Sequence, residues 1–166
     1  SFVIGMAVDQ AEPWEGTVYR AYKDVARILT VCTGHTGKDI VIGKTYTDAE
    51  CKALAFSDMK RELDIALKCS PHLLWHPIVA IAVGGWSFNL GGNRYCTSSL
   101  RVAFDKGDFE TGCDAMGKYI YAGGKVYEGL RLRRYGDKTR IGEIELCKAS
   151  LTPARWWAFR VKAGLV

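Results

Sequence analysis

Residues 15–35 read EGTVYRAYKDVARILTVCTGH. Glu15 is followed nine residues later by Asp24 and six beyond that by Thr30, and the stretch closes on Gly34-His35. Two carboxyl groups and a hydroxyl at fixed separations are the parts of a glycosidase site. One carboxyl gives a proton to the leaving oxygen, and the other, ionised, activates water or stabilises an oxocarbenium-like transition state. The letters around them predict a short helix over Ala11–Tyr22 carrying Glu15. Trp14, Val18 and Tyr22 would form one face, and Pro13 would sit in the first turn, where its missing N–H is not needed. Asp24 follows, and the Ile, Leu, Val and Thr content of Ile28–Thr33 predicts a β-strand. A helix end facing a strand pair makes a cleft with a carboxylate on each wall. Spacing alone is weak, because the chain has 18 acidic residues and most such side chains are solvated. Glu12, before Pro13, is read as one of the solvated ones.

A chain of 166 residues is long enough for one domain with its own core, or for two small lobes sharing a helix. Its 48% apolar and 25% charged composition is that of a globular protein. The net charge of +5 favours polyanionic partners. No helix-turn-helix, zinc-finger or RNP-type pattern supports nucleic acid. Cysteines 32, 51, 69, 96, 113 and 147 form no C-x-x-C pair, which argues against zinc or thioredoxin-like chemistry. Their even number and wide spread suggest disulfides and an oxidising compartment, with fifteen possible pairings. No segment is long enough to span a bilayer.

Further along, Val25–Leu29 and Val31–Thr33 predict a small sheet punctuated by Gly34, Gly37 and Gly43. Thr47-Asp48-Ala49-Glu50 is a capping box, and the apolar spacing behind it predicts a long helix to Cys69, stopped by Ser70-Pro71. His72 and His76 are four apart but have no third ligand nearby, so no metal site is assigned. Ile78–Leu90 reads as the central helix of a helical lobe, with Gly84-Gly85 permitting close packing. Two shorter helices follow over Thr97–Phe104 and Phe109–Tyr119, with Asp108 as N-cap of the second. Tyr121–Lys125 is a glycine turn that lacks the G-x-G-x-x-G pattern of a nucleotide site. From 131 onward there are nine Lys and Arg against three Asp and Glu, and Trp156, Trp157 and Phe159 interleave with Arg155, Arg160 and Lys162. Such a segment can lie on an anionic membrane surface, or its aromatics can pack on the helical lobe.

The ordered pattern EG-x4-AY-x-D-x5-T-x3-GHTG resembles the N-terminal signature of the phage-type lysozymes, the endolysins with which bacteriophages cut host peptidoglycan. GKTYT-x-AEC, FNLG, the C-x16-C segment ending GCD, YAGGK and GLRLRR extend the resemblance over roughly residues 11–147, nearest to the cysteine-containing endolysins of lambdoid-type phages. It implies an α+β, lysozyme-like fold. A small lobe over 1–46 carries the short antiparallel sheet and the catalytic residues, 47–69 is a connecting helix, 70–147 a helical lobe and 148–166 a basic aromatic tail.

By resemblance Glu15 is the general acid, and Asp24 and Thr30 hold or activate the water. Asn89 would contact the sugar at the cleft floor, and His35 would pair with Asp58 as a structural ion pair behind it. An arginine from GLRLRR, Arg133 or Arg134, would approach Glu15. The expected disulfides are Cys32–Cys51, Cys69–Cys147 and Cys96–Cys113. YGDKTR (135–140) looks inserted relative to the family, and 148–166 exceeds its usual end. The implied reaction is hydrolysis of the β-1,4 bond between N-acetylmuramic acid and N-acetylglucosamine with inversion, needing no cofactor. The implied chain is a monomer acting in the periplasm of the infected host, with SFVIGMAV (1–8) either the remnant of a signal-anchor that tethers it to the inner membrane or an apolar first strand. The rival readings are a lytic transglycosylase, which needs no water activator, and a non-catalytic cationic wall-binding or membrane-active protein.

Overall fold

The computed structural model describes residues 2–24 and 26–166. Ser1, in the N-terminal run, and Val25, at the head of the expected 25–29 strand, lie outside the described residues.

The chain opens with α1 (Phe2–Glu15), which buries Ile4, Ala7, Val8 and Ala11. This corrects two readings. The N-terminal run is a helix packed into the core and not an apolar first strand, and Pro13 sits in the last turn of its helix instead of the first. Nor does the helix continue to Tyr22. Gly16 takes φ +68°, a left-handed turn open to glycine at no steric cost, and ends it. Val18–Lys23 then forms β1, antiparallel to β2 (Leu29–Cys32), which pairs with β3 (His35–Thr36). Val18 and Tyr22, which a helical wheel groups with Trp14 on one face, are here set along an irregular strand, while Trp14 stays in α1.

Thr47 caps α2 (Asp48–Cys69) as a complete capping box. Its Oγ1 accepts from the Glu50 N–H at 3.2 Å, and the Glu50 carboxylate accepts from the Thr47 N–H at 2.9 Å. A single 3-10 turn (Pro71–Trp75) leads to α3 (Pro77–Leu90), the centre of the molecule, with nine residues buried. A Cβ on Gly84 would lie 3.2 Å from the Ala7 Cβ, so the missing side chain lets α1 and α3 approach closely. Around them stand α4 (Gly92–Cys96), α5 (Ser99–Asp105) and α6 (Phe109–Ala115), the last capped by Asp108. Next come the hairpin β4 (Tyr121–Ala122) with β5 (Lys125–Val126), α7 (Glu128–Tyr135), α8 (Glu143–Ala149) and α9 (Pro153–Lys162).

Two cores result. The large one joins α1 to α2, α3 and the following helices, and includes Phe159 from α9. The small one collects Val31, Cys32, Ile40, Tyr46 and Cys51 beneath the sheet. This is the α+β arrangement that was expected. Three disulfides cross-link it: Cys32–Cys51, Cys69–Cys96 and Cys113–Cys147. The first pairing was expected. The other two replace the expected Cys69–Cys147 and Cys96–Cys113. Cys69 ends α2 beside Cys96 at the end of α4, with Cα atoms 5.6 Å apart, and Cys113 on α6 faces Cys147 on α8 at 5.7 Å. Helix packing, which spacing does not reveal, decides those partners.

Candidate active site

The last residue of α1, Glu15, enters a cavity of about 230 Å³ that it shares with Thr33, Gly34, Asp58, Glu62, Phe88 and Asn89. The cavity lies where the end of α1, the β2–β3 turn, α2 and the last turn of α3 meet. The Glu15 side chain is 23% exposed, enough to reach a ligand while remaining partly shielded.

Two arginines of α7 hold its surroundings. Arg133 donates through Nη1 to the Glu15 carboxylate, through Nε to Glu143 at 2.8 Å and through Nη2 to the Gly85 carbonyl at 2.9 Å. Arg134 donates to the other Glu143 oxygen, to Asn89 Oδ1 at 2.6 Å and to the Tyr119 carbonyl at 3.2 Å. Both guanidinium groups are buried, as is Glu143. Burial works against the charge of Arg133, but the carboxylates of Glu143 and Glu15 outweigh it and hold its pKa up. Burial, with Arg133 alongside, brings Arg134 down despite Glu143. A guanidinium remains charged in either case. Glu15 and Asn89 therefore stand at two ends of one buried polar network, with both arginines expected near the site engaged in it.

Asp24 and Thr30 lie elsewhere, on the β1–β2 hairpin. Asp24 sits at its tip, where Oδ1 accepts from the N–H groups of Ala26 at 2.8 Å and Ile28 at 2.9 Å. Thr30 is buried in β2, opposite Tyr22 on one side and Thr36 on the other, and its hydroxyl donates to the Ile28 carbonyl at 3.0 Å. Neither lines the cavity that contains Glu15. The structure thus brings Glu15, Asn89 and Asp58 together and leaves Asp24 and Thr30 on the adjoining hairpin.

His35 stands behind the site. Its Nδ1 is 2.8 Å from Asp58 Oδ2, the expected partner, and its Nε2 is 3.2 Å from both oxygens of Asp39. Asp58 also accepts from Arg61 at 2.8 Å. Burial pulls the imidazole pKa down, but the hydrogen bonds it donates to the Asp58 and Asp39 carboxylates prevail and raise it. The same contact with His35 lowers Asp39. His72 and His76 both pack their rings on Phe109.

Three residues escaped the reading of the sequence. Asp39 was findable, since it follows His35 by four residues. Thr33 is buried with its hydroxyl unpartnered among the described residues, and nothing local marks it. Glu143 lies past the stretch that looks inserted, and only the folded chain returns it to α7.

A family model described as Phage lysozyme matches residues 12–137. The SAR-endolysin of Bacteriophage PS119 is 42% identical over 122 residues, which cover 72% of this chain and 71% of that protein. That of Enterobacteria phage P21 is 40% identical over 122 residues, covering 72% of each chain. Among solved structures, the active form of P1 phage endolysin Lyz aligns with TM-score 0.69 at 20% identity, over 89% of this chain and 85% of that one. The muramidase domain of SpmX from Asticaccaulis excentricus aligns with TM-score 0.72 at 20% identity, over 89% and 95%. The lysozyme-like fold, an acid at the head of its cleft and this kinship agree: the chain belongs to the phage lysozyme family and is a glycoside hydrolase, a muramidase of the endolysin kind.

Proposed function

We propose that the chain hydrolyses the β-1,4 bond between N-acetylmuramic acid and N-acetylglucosamine of peptidoglycan, with Glu15 as the proton donor. The observation that carries this reading is the partly shielded Glu15 carboxyl at the head of the cavity, oriented by Arg133. Protonation of the glycosidic oxygen lets the bond to the anomeric carbon break. Asp24 and Thr30 act from the hairpin wall, as a carboxylate and a hydroxyl that place the attacking water. Attack from the face opposite the leaving group inverts the anomeric carbon. Asn89, its Oδ1 held by Arg134, presents its amide N–H groups to the sugar. The mildly basic chain suits a wall rich in carboxylates, and the place of action is the periplasm. Among the described residues, no helix is long and apolar enough to cross a membrane.

Mass spectrometry of soluble fragments from purified Gram-negative peptidoglycan tests the reading. Fragments with a reducing N-acetylmuramic acid end are expected from the wild type. Glu15→Gln should lower their release by about a hundredfold to ten-thousandfold, the range for loss of a general acid. Anhydro ends would make the enzyme a transglycosylase and remove the role of Asp24.

The C-terminal helix supports a second, separate contact. Trp157 is 59% exposed, and Val161 and Leu165 are exposed further along the segment, while Phe159 anchors the helix in the core. Arg155 is tied to Glu110 and Lys162 to Glu145. This apolar surface on a basic chain fits an anionic lipid headgroup layer. Sedimentation with phosphatidylglycerol vesicles should show binding that the Trp157→Ala, Leu165→Ser double variant loses. Equal binding by the two proteins would remove the membrane contact.

A further inference from the structure

Residues 135–142 join α7 to α8 through a loop whose two ends touch. Gly136 turns with φ +74°, and a Cβ on it would lie 2.6 Å from the Arg140 carbonyl oxygen and from the Gly142 nitrogen. A Cβ on Gly142 would collide with the backbone of Tyr135 and Arg134. Inside the loop, Asp137 Oδ1 accepts from the N–H groups of Thr139 at 2.9 Å and Arg140 at 2.7 Å, and its Oδ2 accepts from Arg140 Nε at 2.8 Å. The closed loop meets the end of α1 through Arg140. The Arg140 guanidinium lies 4.2 Å from the centroid of the Trp14 ring, one residue before Glu15. Just beyond the loop, the fully buried Glu143 accepts from both arginines that reach the cavity.

One carboxylate under two guanidiniums is a poor device for stability, because well-packed apolar residues often serve as well or better. Its geometry has another use. Arg133 runs from Glu143 to Glu15, and Arg134 runs from Glu143 to Asn89. We propose that Glu143 is a positioning residue, fixing the Glu15 carboxyl through Arg133 and the Asn89 amide through Arg134 for the reaction. The assignment rests on Glu15 as the acid and goes beyond it, to a residue outside the 12–137 span that the family model matches.

The charges facing this cluster are Arg133 and Arg134 from α7, Glu143 from α8 and Glu15 from α1. Glu12 lines a small void with Glu15, and Arg140 stands over Trp14. Glu143 meets both arginines, and Arg133 alone also meets Glu15. Remove the charge of Glu143 and two guanidiniums act on Glu15 alone, which favours the ionised form that has no proton to give.

The test uses the full oxidised chain and measures kcat and KM on solubilised peptidoglycan across pH. Glu143→Gln is expected to lower kcat by about tenfold to a hundredfold, as a slightly misplaced catalytic group does, with little change in KM. It should also move the alkaline limb of the pH–kcat/KM profile to lower pH by about one unit or more. Glu143→Asp, which keeps the charge, should restore the alkaline limb. A folded Glu143→Gln with wild-type kcat and pH profile overturns the proposal. Should Glu143→Gln fail to fold, Glu143→Asp decides, because it keeps the charge but draws the carboxylate back from Arg133 and Arg134. A loss of about tenfold in kcat with little change in KM and an unmoved alkaline limb supports positioning, and a wild-type kcat overturns it. Glu15→Gln in the same assay separates the two levels. If that variant remains active, the acid assignment falls and this one with it. If it is inert while Glu143→Gln is folded and fully active, only the role of Glu143 falls.

Discussion

His35 joins two segments of the chain through its two ring nitrogens. It bridges Asp58 on α2 and Asp39 in the loop after β3, and so pins the small sheet to the long helix. Its pKa is raised in the folded chain, so the stability it adds is fully present below its ordinary value of about 6.5 and is lost as pH rises through the higher folded value. Asp39 is lowered, so its share is present above the ordinary carboxylate value and is lost as pH falls through the lower folded one. The His35–Asp39 contribution is therefore greatest in the window between these two limits. Thermal melts of His35→Asn should show a larger Tm deficit at about pH 5.5 than at about pH 8.5. The deficit should appear with kcat retained. A kcat that collapses in a variant with native Tm would move His35 into the catalytic set. Legibility at this scale was uneven. The partner Asp58 could be named because a family pattern places it, and Asp39 stands a findable four residues after His35, whereas Glu143 became visible only as a contact.

Among the elements, α2 is the clearest case of local sequence acting alone. Thr47 and Glu50 satisfy each other's backbone N–H groups, and the Lys44 ammonium beside Glu50, with the cap hydrogen bonds, holds its carboxyl down at about 2. The cap is thus kept well below the ordinary range of a glutamate and is lost only as pH falls toward that value. Thr47→Ala should cost about 1 kcal/mol, seen as a lower urea midpoint with unchanged m. Where α2 meets α4, packing decides instead. A Cβ on Gly92 would lie 2.8 Å from the Ile65 Cβ and would run into the Glu62 carbonyl. Gly92→Ala should therefore lower stability by about 1–3 kcal/mol, the range for an overpacked contact, despite the better helix propensity of alanine. The same contrast explains the misread of residues 11–22. Their four-residue spacing was genuine, but Gly16 breaks the helix and β2 offers Val18–Lys23 a pairing edge. A long-range partner overrode a local period.

At the scale of the whole molecule, two of the disulfides staple helix to helix. Cys69–Cys96 closes 27 residues and Cys113–Cys147 closes 34. In the chain-entropy model, removing the first as Cys69→Ser, Cys96→Ser should cost about 3–4 kcal/mol. Non-reducing peptide mapping should recover peptides joining 69 to 96 and 113 to 147. Recovery of 69 linked to 147 would restore the pairing expected from family resemblance. The two cores meet along α2, and the cavity containing Glu15 opens beside that helix.

By itself the sequence determined the fold class, the long capped helix and the central apolar helix. Each is written in short-range terms: a capping box, a helical period, a motif of fixed spacing. Tertiary structure alone decided the course of residues 11–22, two of the three disulfides, the separation of Asp24 and Thr30 from the Glu15 cavity, and the return of Glu143 to Arg133 and Arg134. These depend on which distant surfaces meet, and contacts between residues far apart along the chain leave no period or spacing in it to read.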